Sequence, residues 1–198
     1  MLDTLAEEKP DRRPAMLVCV YDEADGLWPM PGLEDAATGP IAARVVPLGP
    51  DEPAALATRI TGALADTDCR AILLVGRTRK ADRFRIQMRA ENRVLGGGRK
   101  LSDTGPALAR ATAPIAEMVR ALGDAGFAAD ATSDSEDDAG SYLLYRLLTA
   151  LPDNADAVAV GLLRAPDGLD AHDARRGVET AAMAMARHLT PLPRSRLS

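Results

Sequence analysis

Side chains able to do covalent or proton-transfer chemistry are scarce in this chain. It has two cysteines, Cys19 and Cys69, and two histidines, His172 and His188. A thiol hydrolase needs a thiolate with an imidazole beside it, and no Cys lies near a His in the sequence. Cys19 falls inside the apolar run 15–21 and reads as a buried small hydrophobe. Cys69, beside Asp66, Asp68 and Arg70, is expected at the surface without an activating neighbour. Asp170, His172 and Asp173 could offer metal donors, but their spacing fits a solvated helix N-terminus. His188 fits the last turn of that helix, where positive charge is favourable.

Acidic and hydroxyl groups cluster once, in Asp134-Ser135-Glu136-Asp137-Asp138, with Ser141 just beyond. The run lacks the residue order of a calcium loop and reads as a solvated helix start matched to the helix dipole. Ser141 reads as a helix-end hydroxyl, and as a nucleophile it would lack an identifiable base. Gly96-Gly97-Gly98-Arg99-Lys100 fails the phosphate-loop pattern, because Lys100 is followed by Leu101 and no helix opens there. It reads as a flexible loop. Arg77, Arg79, Lys80, Arg83 and Arg85 form a local positive patch that reads first as a solvated face, with binding of an acidic small molecule or a peptide terminus as the functional alternative. No motif calls for a cofactor or a metal.

Elements must hold these groups in place. Apolar, partly β-branched runs predict strands over 15–21, 43–48, 71–76, 127–132 and 155–163. Residues 83–92 alternate, with Phe84, Ile86, Met88 and Ala90 on one face and Arg83, Arg85, Gln87 and Arg89 on the other. Period two predicts a half-exposed strand, antiparallel or at an edge. Leu56, Ile60 and Leu64 mark a helix after Pro53, and Ile115, Met118, Val119 and Leu122 mark another after Pro114. A third helix follows the acid run, and the last covers 173–189 with Val178, Ala182, Met185 and Leu189 inward. Buried strands alternating with helices predict a three-layer α/β/α sandwich around a mostly parallel, mixed sheet. Residues 1–14 read as a flexible arm and 15–198 as one domain.

Composition narrows the partners. The chain has 198 residues and a formal net charge of -5, which argues against a nucleic-acid-binding surface. Aromatics are 3%, too few for a base-stacking platform. No apolar run approaches a membrane span, and two cysteines make no disulfide framework. We therefore expect no nucleic acid, no membrane and a cytoplasmic setting, with a small molecule or peptide terminus of unknown identity as partner.

Several short motifs recur in a telling order. Gly76 ends a buried strand, and Gln87-Met88-Arg89-Ala90-Glu91-Asn92 follows in an alternating one. Thr104-Gly105-Pro106-Ala107 and Ala111-Thr112-Ala113-Pro114 come next, then Gly126-Phe127-Ala128-Ala129, then Ala159 through Pro166. Near the start, Tyr21-Asp22-Glu23-Ala24-Asp25-Gly26 follows the first strand. This succession resembles pyroglutamyl peptidase I, the peptidase C15 family. Its patterns are F-D-P-F-G-G, E-R-x-A-x-N, D-G-P-x-A, S-T-L-P, G-I-P-A and F-I-H-V-P-x-x-P. The resemblance implies a phosphorylase/hydrolase-like α/β/α sandwich, often a homo-oligomer, with a Glu, Cys and His triad that removes N-terminal pyroglutamate.

The triad does not carry over. Gln87 stands at the Glu position. The Cys position falls on Gly140 or, with the A-G-T-Y motif laid on residues 139–142, on Leu144. The His position falls on Gly161, and a pocket Phe is replaced by Ala24. The expectation is a catalytically degenerate binding or scaffold protein with Tyr21, Gln87, Asn92 and Ser141 lining the remaining cleft. The alternatives are a hydrolase using Ser141 or a bound metal and, third, an active cysteine peptidase.

Overall fold

A computed structural model describes residues 15–21, 42–48, 51–65, 69–151 and 158–189. The expected N-terminal arm, the start of the 155–163 strand and the positions around Ala24 lie outside the described residues.

Eight strands and four helices follow one another among the described residues. They are β1 (Ala15–Val20), β2 (Ala42–Pro47), α1 (Pro53–Ala65), β3 (Cys69–Thr78), β4 (Phe84–Gln87), β5 (Arg89–Glu91) and β6 (Leu108–Arg110). Then come α2 (Ile115–Asp124), β7 (Ala129–Thr132), α3 (Ala139–Ala150), β8 (Ala159–Pro166) and α4 (Ala171–Leu189). Six strands form one sheet in the order β2-β1-β3-β8-β4-β7. All pairs are parallel except β4 with β8.

Side-chain alternation sorts the core into two layers. Met16, Val18 and Val20 of β1 point to one face, joined by Leu73, Phe84, Ile86 and Leu163 and covered by α2 and α4. Leu17, Cys19 and Tyr21 point to the other, with Ile72, Leu74, Val160 and Leu162, under α1 and α3. Each central strand is buried on both sides, which is why its sequence reads as continuously apolar rather than alternating. The α/β/α sandwich and its mixed sheet are as the sequence predicted.

Residues 83–92 depart from expectation. The β4 strand is antiparallel to β8 as anticipated, but it is internal, flanked by β8 and β7. The alternation breaks after Gln87, where Met88 donates its N–H to the Thr132 carbonyl and the chain leaves the sheet. Met88 is therefore exposed, while Gln87, on the face read as solvated, is fully buried. Ala90 packs on the α3 side, opposite to Phe84 and Ile86. Leu108–Arg110 carries no strand signal, yet it pairs with β5 as a separate two-stranded ribbon.

Close approach of α4 to the sheet depends on a glycine. A Cβ built on Gly177 would lie 2.1 Å from Phe84 Cζ, and the Phe84 ring is itself wedged edge-on against Phe127. Gly177→Ala is expected to destabilise the protein by about 1–3 kcal/mol. Urea denaturation should show a lower midpoint at unchanged slope, partly recovered when Phe84→Leu makes room.

Candidate functional site

Period two sends Val160, Leu162 and Arg164 of β8 to the α3 face. The third of these is an arginine with no solvent exposure. A guanidinium has five donors and no acceptor, so burial requires acceptors around it. Asp138 grips it bidentately: Arg164 Nε donates to Oδ2 at 3.0 Å and Nη2 to Oδ1 at 2.7 Å. Nη1 donates to Gln87 Oε1 at 2.7 Å, and Nη2 also donates to Ser141 Oγ at 2.9 Å. Glu136 Oε1 stands 3.8 Å from Nε and accepts from Thr78 Oγ1 at 2.7 Å. Burial acts to lower the Arg164 pKa, but Tyr21, Asp138 and Glu136 outweigh it, and the net direction is up.

Each partner is held by its own element. Asp138 is the N-cap of α3, accepting from the Ser141 backbone N–H at 2.9 Å, so the guanidinium is tied to the start of that helix. Ser141 Oγ–H donates to Gln87 Oε1 at 3.2 Å. The Gln87 amide nitrogen donates to the Arg89 carbonyl at 2.7 Å and to Ser135 Oγ at 3.3 Å. The Tyr21 hydroxyl donates to Asp138 Oδ2 at 3.3 Å. Its ring lies where glycines leave space: a Cβ on Gly76 would be 2.2 Å from Tyr21 Cζ, and one on Gly140 would be 2.3 Å from the hydroxyl.

A depression of about 520 Å³ opens at the C-terminal ends of β1, β3 and β8. Tyr21, Arg77, Thr78, Lys80, Asp137 and Asp167 line it, at the strand ends where open α/β sheets bind ligands. On the other side of the cluster, the space bordered by Ser135, Ser141 and Tyr142 is only about 10 Å³, no more than one water would need. Ser141 itself is buried, and this space is too small for a substrate-sized molecule.

The cluster gathers Tyr21, Gln87 and Ser141, as the sequence suggested for a cleft, but they meet around Arg164, and Gln87 is packed away from solvent. Gly140 lies beneath the Tyr21 ring. Leu144 is fully buried in the core between the sheet, α1 and α3. Gly161 sits mid-strand opposite Leu73, with Ala113 Cβ 2.8 Å from where its own would be. Asn92 organises a loop instead of lining the cleft. It donates to the carbonyls of Ser102 and Gly105 and accepts from the N–H groups of Leu101 and Ser102.

Three expectations need correction. The acid run is not simply solvated: Glu136 is buried and Asp138 neutralises Arg164. The reason is the unbroken apolar strand that carries Arg164 inward and so demands acceptors there. The basic cluster does not act as one patch. Arg83 pairs with Asp82, Arg85 turns to Thr132, Asp130 and Asp134, and only Arg77, Arg79 and Lys80 reach the depression. Cys69 is buried, because β3 begins at Cys69 and its thiol donates to the Ala71 carbonyl at 3.1 Å. Both histidines are exposed on α4, on the opposite side of the sheet from the thiols. Among the described residues, no group of three or more His, Cys, Asp or Glu could hold a metal ion, and no helix is long and apolar enough to cross a membrane.

The sequence reading missed Arg164 and Asp138. The available signal was a charged residue inside the run Ala159–Pro166, which must find a counterion if the strand is buried.

With the sheet order and the cluster established, comparison with solved structures is decisive for the fold. The fold is that of pyroglutamyl peptidase I. The enzyme from Bacillus amyloliquefaciens matches with a TM-score of 0.73 and 18% identity, over 89% of this chain and 98% of that one. A mutant pyrrolidone carboxyl peptidase from Pyrococcus furiosus matches with a TM-score of 0.71 and 14% identity, over 88% and 99%. The Thermus thermophilus enzyme gives a TM-score of 0.66 and 17% identity, over 86% and 99%. No family model matches this chain, and no curated protein matches it in sequence. The architectures thus match at low sequence identity.

Two outcomes follow from the cluster and the thiols. Arg164→Met strands the Asp138 carboxylate and is expected to cost about 3–5 kcal/mol of stability. The double variant Arg164→Met/Asp138→Leu should lose less than the sum of the single changes in a chemical-denaturation cycle. Desolvation, and then Cys69, push the Cys19 thiol up from 9.0 to about 12. A raised folded pKa contributes stability in full below the unfolded value, and that stability is lost as pH rises from about 9 towards 12. Ellman's reagent should therefore label neither cysteine in the native protein and both in urea, and Cys19→Val should flatten the alkaline fall in stability.

Proposed function

We propose that this chain is a pyroglutamyl-peptidase-like protein without peptidase activity, acting as a binding or scaffold protein. The observation that carries this reading is the buried guanidinium. Laying the family's H-V-P on Arg164-Ala165-Pro166, rather than placing its His on Gly161, puts Arg164 in the place of the proton carrier. Its contacts with Gln87 and Ser141 support that register, as does the position of Gly161 deep in the strand. A guanidinium stays protonated and accepts nothing, so it cannot take a proton from a nucleophile and return it to a leaving group.

The rest of the cluster offers no substitute. The Ser141 proton is directed at an amide oxygen, which is not a base, and its lone pair faces a cation. Gln87 carries no charge to stabilise an imidazolium, and neither Gly140 nor Leu144 has a nucleophilic atom. Both thiols are buried in the core. Binding is left to the depression beside the cluster, where the exposed Lys80, next to the Arg79–Asp167 pair, suits the carboxylate of an acidic small molecule or peptide terminus.

The protein is expected to release no fluorophore from a pyroglutamyl-coumarin substrate, before or after thiol alkylation. Turnover that disappears in Ser141→Ala would replace this reading with a serine hydrolase, and turnover lost to chelator would point to a metal enzyme. For the binding role, a short peptide with a free C-terminal carboxylate should raise the melting temperature. Its C-terminal amide should raise it less, and Lys80→Glu should abolish the difference.

A further inference from the structure

Between Met88 and Ala111 the chain leaves the main sheet and forms the β5–β6 ribbon, with Arg89 opposite Arg110, Ala90 opposite Ala109 and Glu91 opposite Leu108. Asn92 N–H bonds to the Ala107 carbonyl and Ala111 N–H to the Met88 carbonyl. That phase makes Ala90 and Ala109 a hydrogen-bonded pair, so the N–H and C=O groups of Leu108 and Arg110 point away from β5. No strand of the described residues pairs with β6 on that side. The ribbon rests on the α3 side through Ala90 and Ala109, while the side chains of Leu108 and Arg110 stand in solvent.

Two further features mark the same excursion. Leu108, 47% exposed, and Met88, 38% exposed, are the exposed large hydrophobic residues of the described chain, and both lie here. Basic residues are in excess: Arg89, Arg93, Arg99, Lys100 and Arg110 against Glu91 and Asp103, on a chain whose net charge is -5. Arg89 donates to the Ser133 carbonyl. Arg93, Arg99, Lys100 and Arg110 make no side-chain hydrogen bond or ion pair with the described residues. A charged side chain on a short edge strand is a common guard against aggregation. That accounts for Arg110 but not for a leucine near it on an edge that no described strand covers.

We propose that the outer edge of β6 docks an extended acidic segment of another protein by strand addition. Main-chain bonds form with Leu108 and Arg110, an apolar side chain of the partner covers Leu108, and its carboxylates meet the basic side chains of the ribbon. Charge complementarity selects this occupant over a second copy. A two-fold pairing of β6 with itself would set two basic ribbons against each other and place like charges side by side. The inference is independent of whether the buried cluster is catalytic.

Fluorescence anisotropy with a labelled alternating Glu-Val peptide and the full-length protein tests it. The peptide is expected to bind, to weaken as salt rises, and to weaken about tenfold on Arg110→Glu. That surface change should leave the melting curve unaltered, so a loss of binding reports the edge and not unfolding. The same peptide N-methylated at alternate amides, which removes the strand bonds, should not bind. Equal binding of the methylated peptide or of Arg110→Glu, or no binding at all, overturns the proposal. So does a dimer in sedimentation velocity that Leu108→Glu dissociates, since a second copy would then be the occupant.

Discussion

A positive charge with no access to water sits near the C-terminal end of β8, and the surrounding side chains are arranged around its neutralisation. Desolvating an ion costs several kcal/mol even after relaxation, so Arg164 is tolerable only with acceptors on every side of its fork. Asp138 provides two, Gln87 and Ser141 one each, and Glu136 adds charge from 3.8 Å. These partners come from different parts of the chain: the start of α3, the end of β4 and the segment before α3. The pair therefore fixes how α3 meets the sheet, and Tyr21 extends the linkage to β1.

The same arrangement limits chemistry. Hydrolytic sites separate a nucleophile from the group that accepts its proton and leave room for substrate between them. Here the Ser141 hydroxyl is held between Gln87 Oε1 and the Arg164 guanidinium, and the space beside Ser141 is about 10 Å³. The glycines that let the Tyr21 ring settle over the cluster close it further. Beside the cluster, an open depression lies on the outer side, where Arg79 and Lys80 stand in solvent at the strand ends.

Charge is unevenly distributed over the fold. Of the acidic residues before α3, Glu136 and Asp138 turn inward to Arg164, Asp137 turns to the Gly96 backbone N–H and Asp134 faces Arg85. The ribbon beyond Met88 keeps much of its basic charge unpaired among the described residues. A chain that is acidic overall thus presents a locally basic edge, a difference that net charge alone conceals.

The sequence by itself determined the layers. Apolar runs such as Ala15–Val20 and Cys69–Thr78 can be satisfied only with both faces buried, and the spacing of Met118 and Leu122 or Val178 and Met185 fixes which helix faces cover them. What only the tertiary structure decided was the pairing of groups remote in sequence. Arg164 meets Gln87 because β8 and β4 run antiparallel side by side, and it meets Asp138 because α3 begins above β8. The exposed Met88 and the β5–β6 ribbon escaped the period-two reading because alternation describes one strand and says nothing of where that strand leaves its sheet. Hydrophobic periodicity is local and survives in the sequence, whereas the partner of a buried charge is set by long-range register, which no local pattern records.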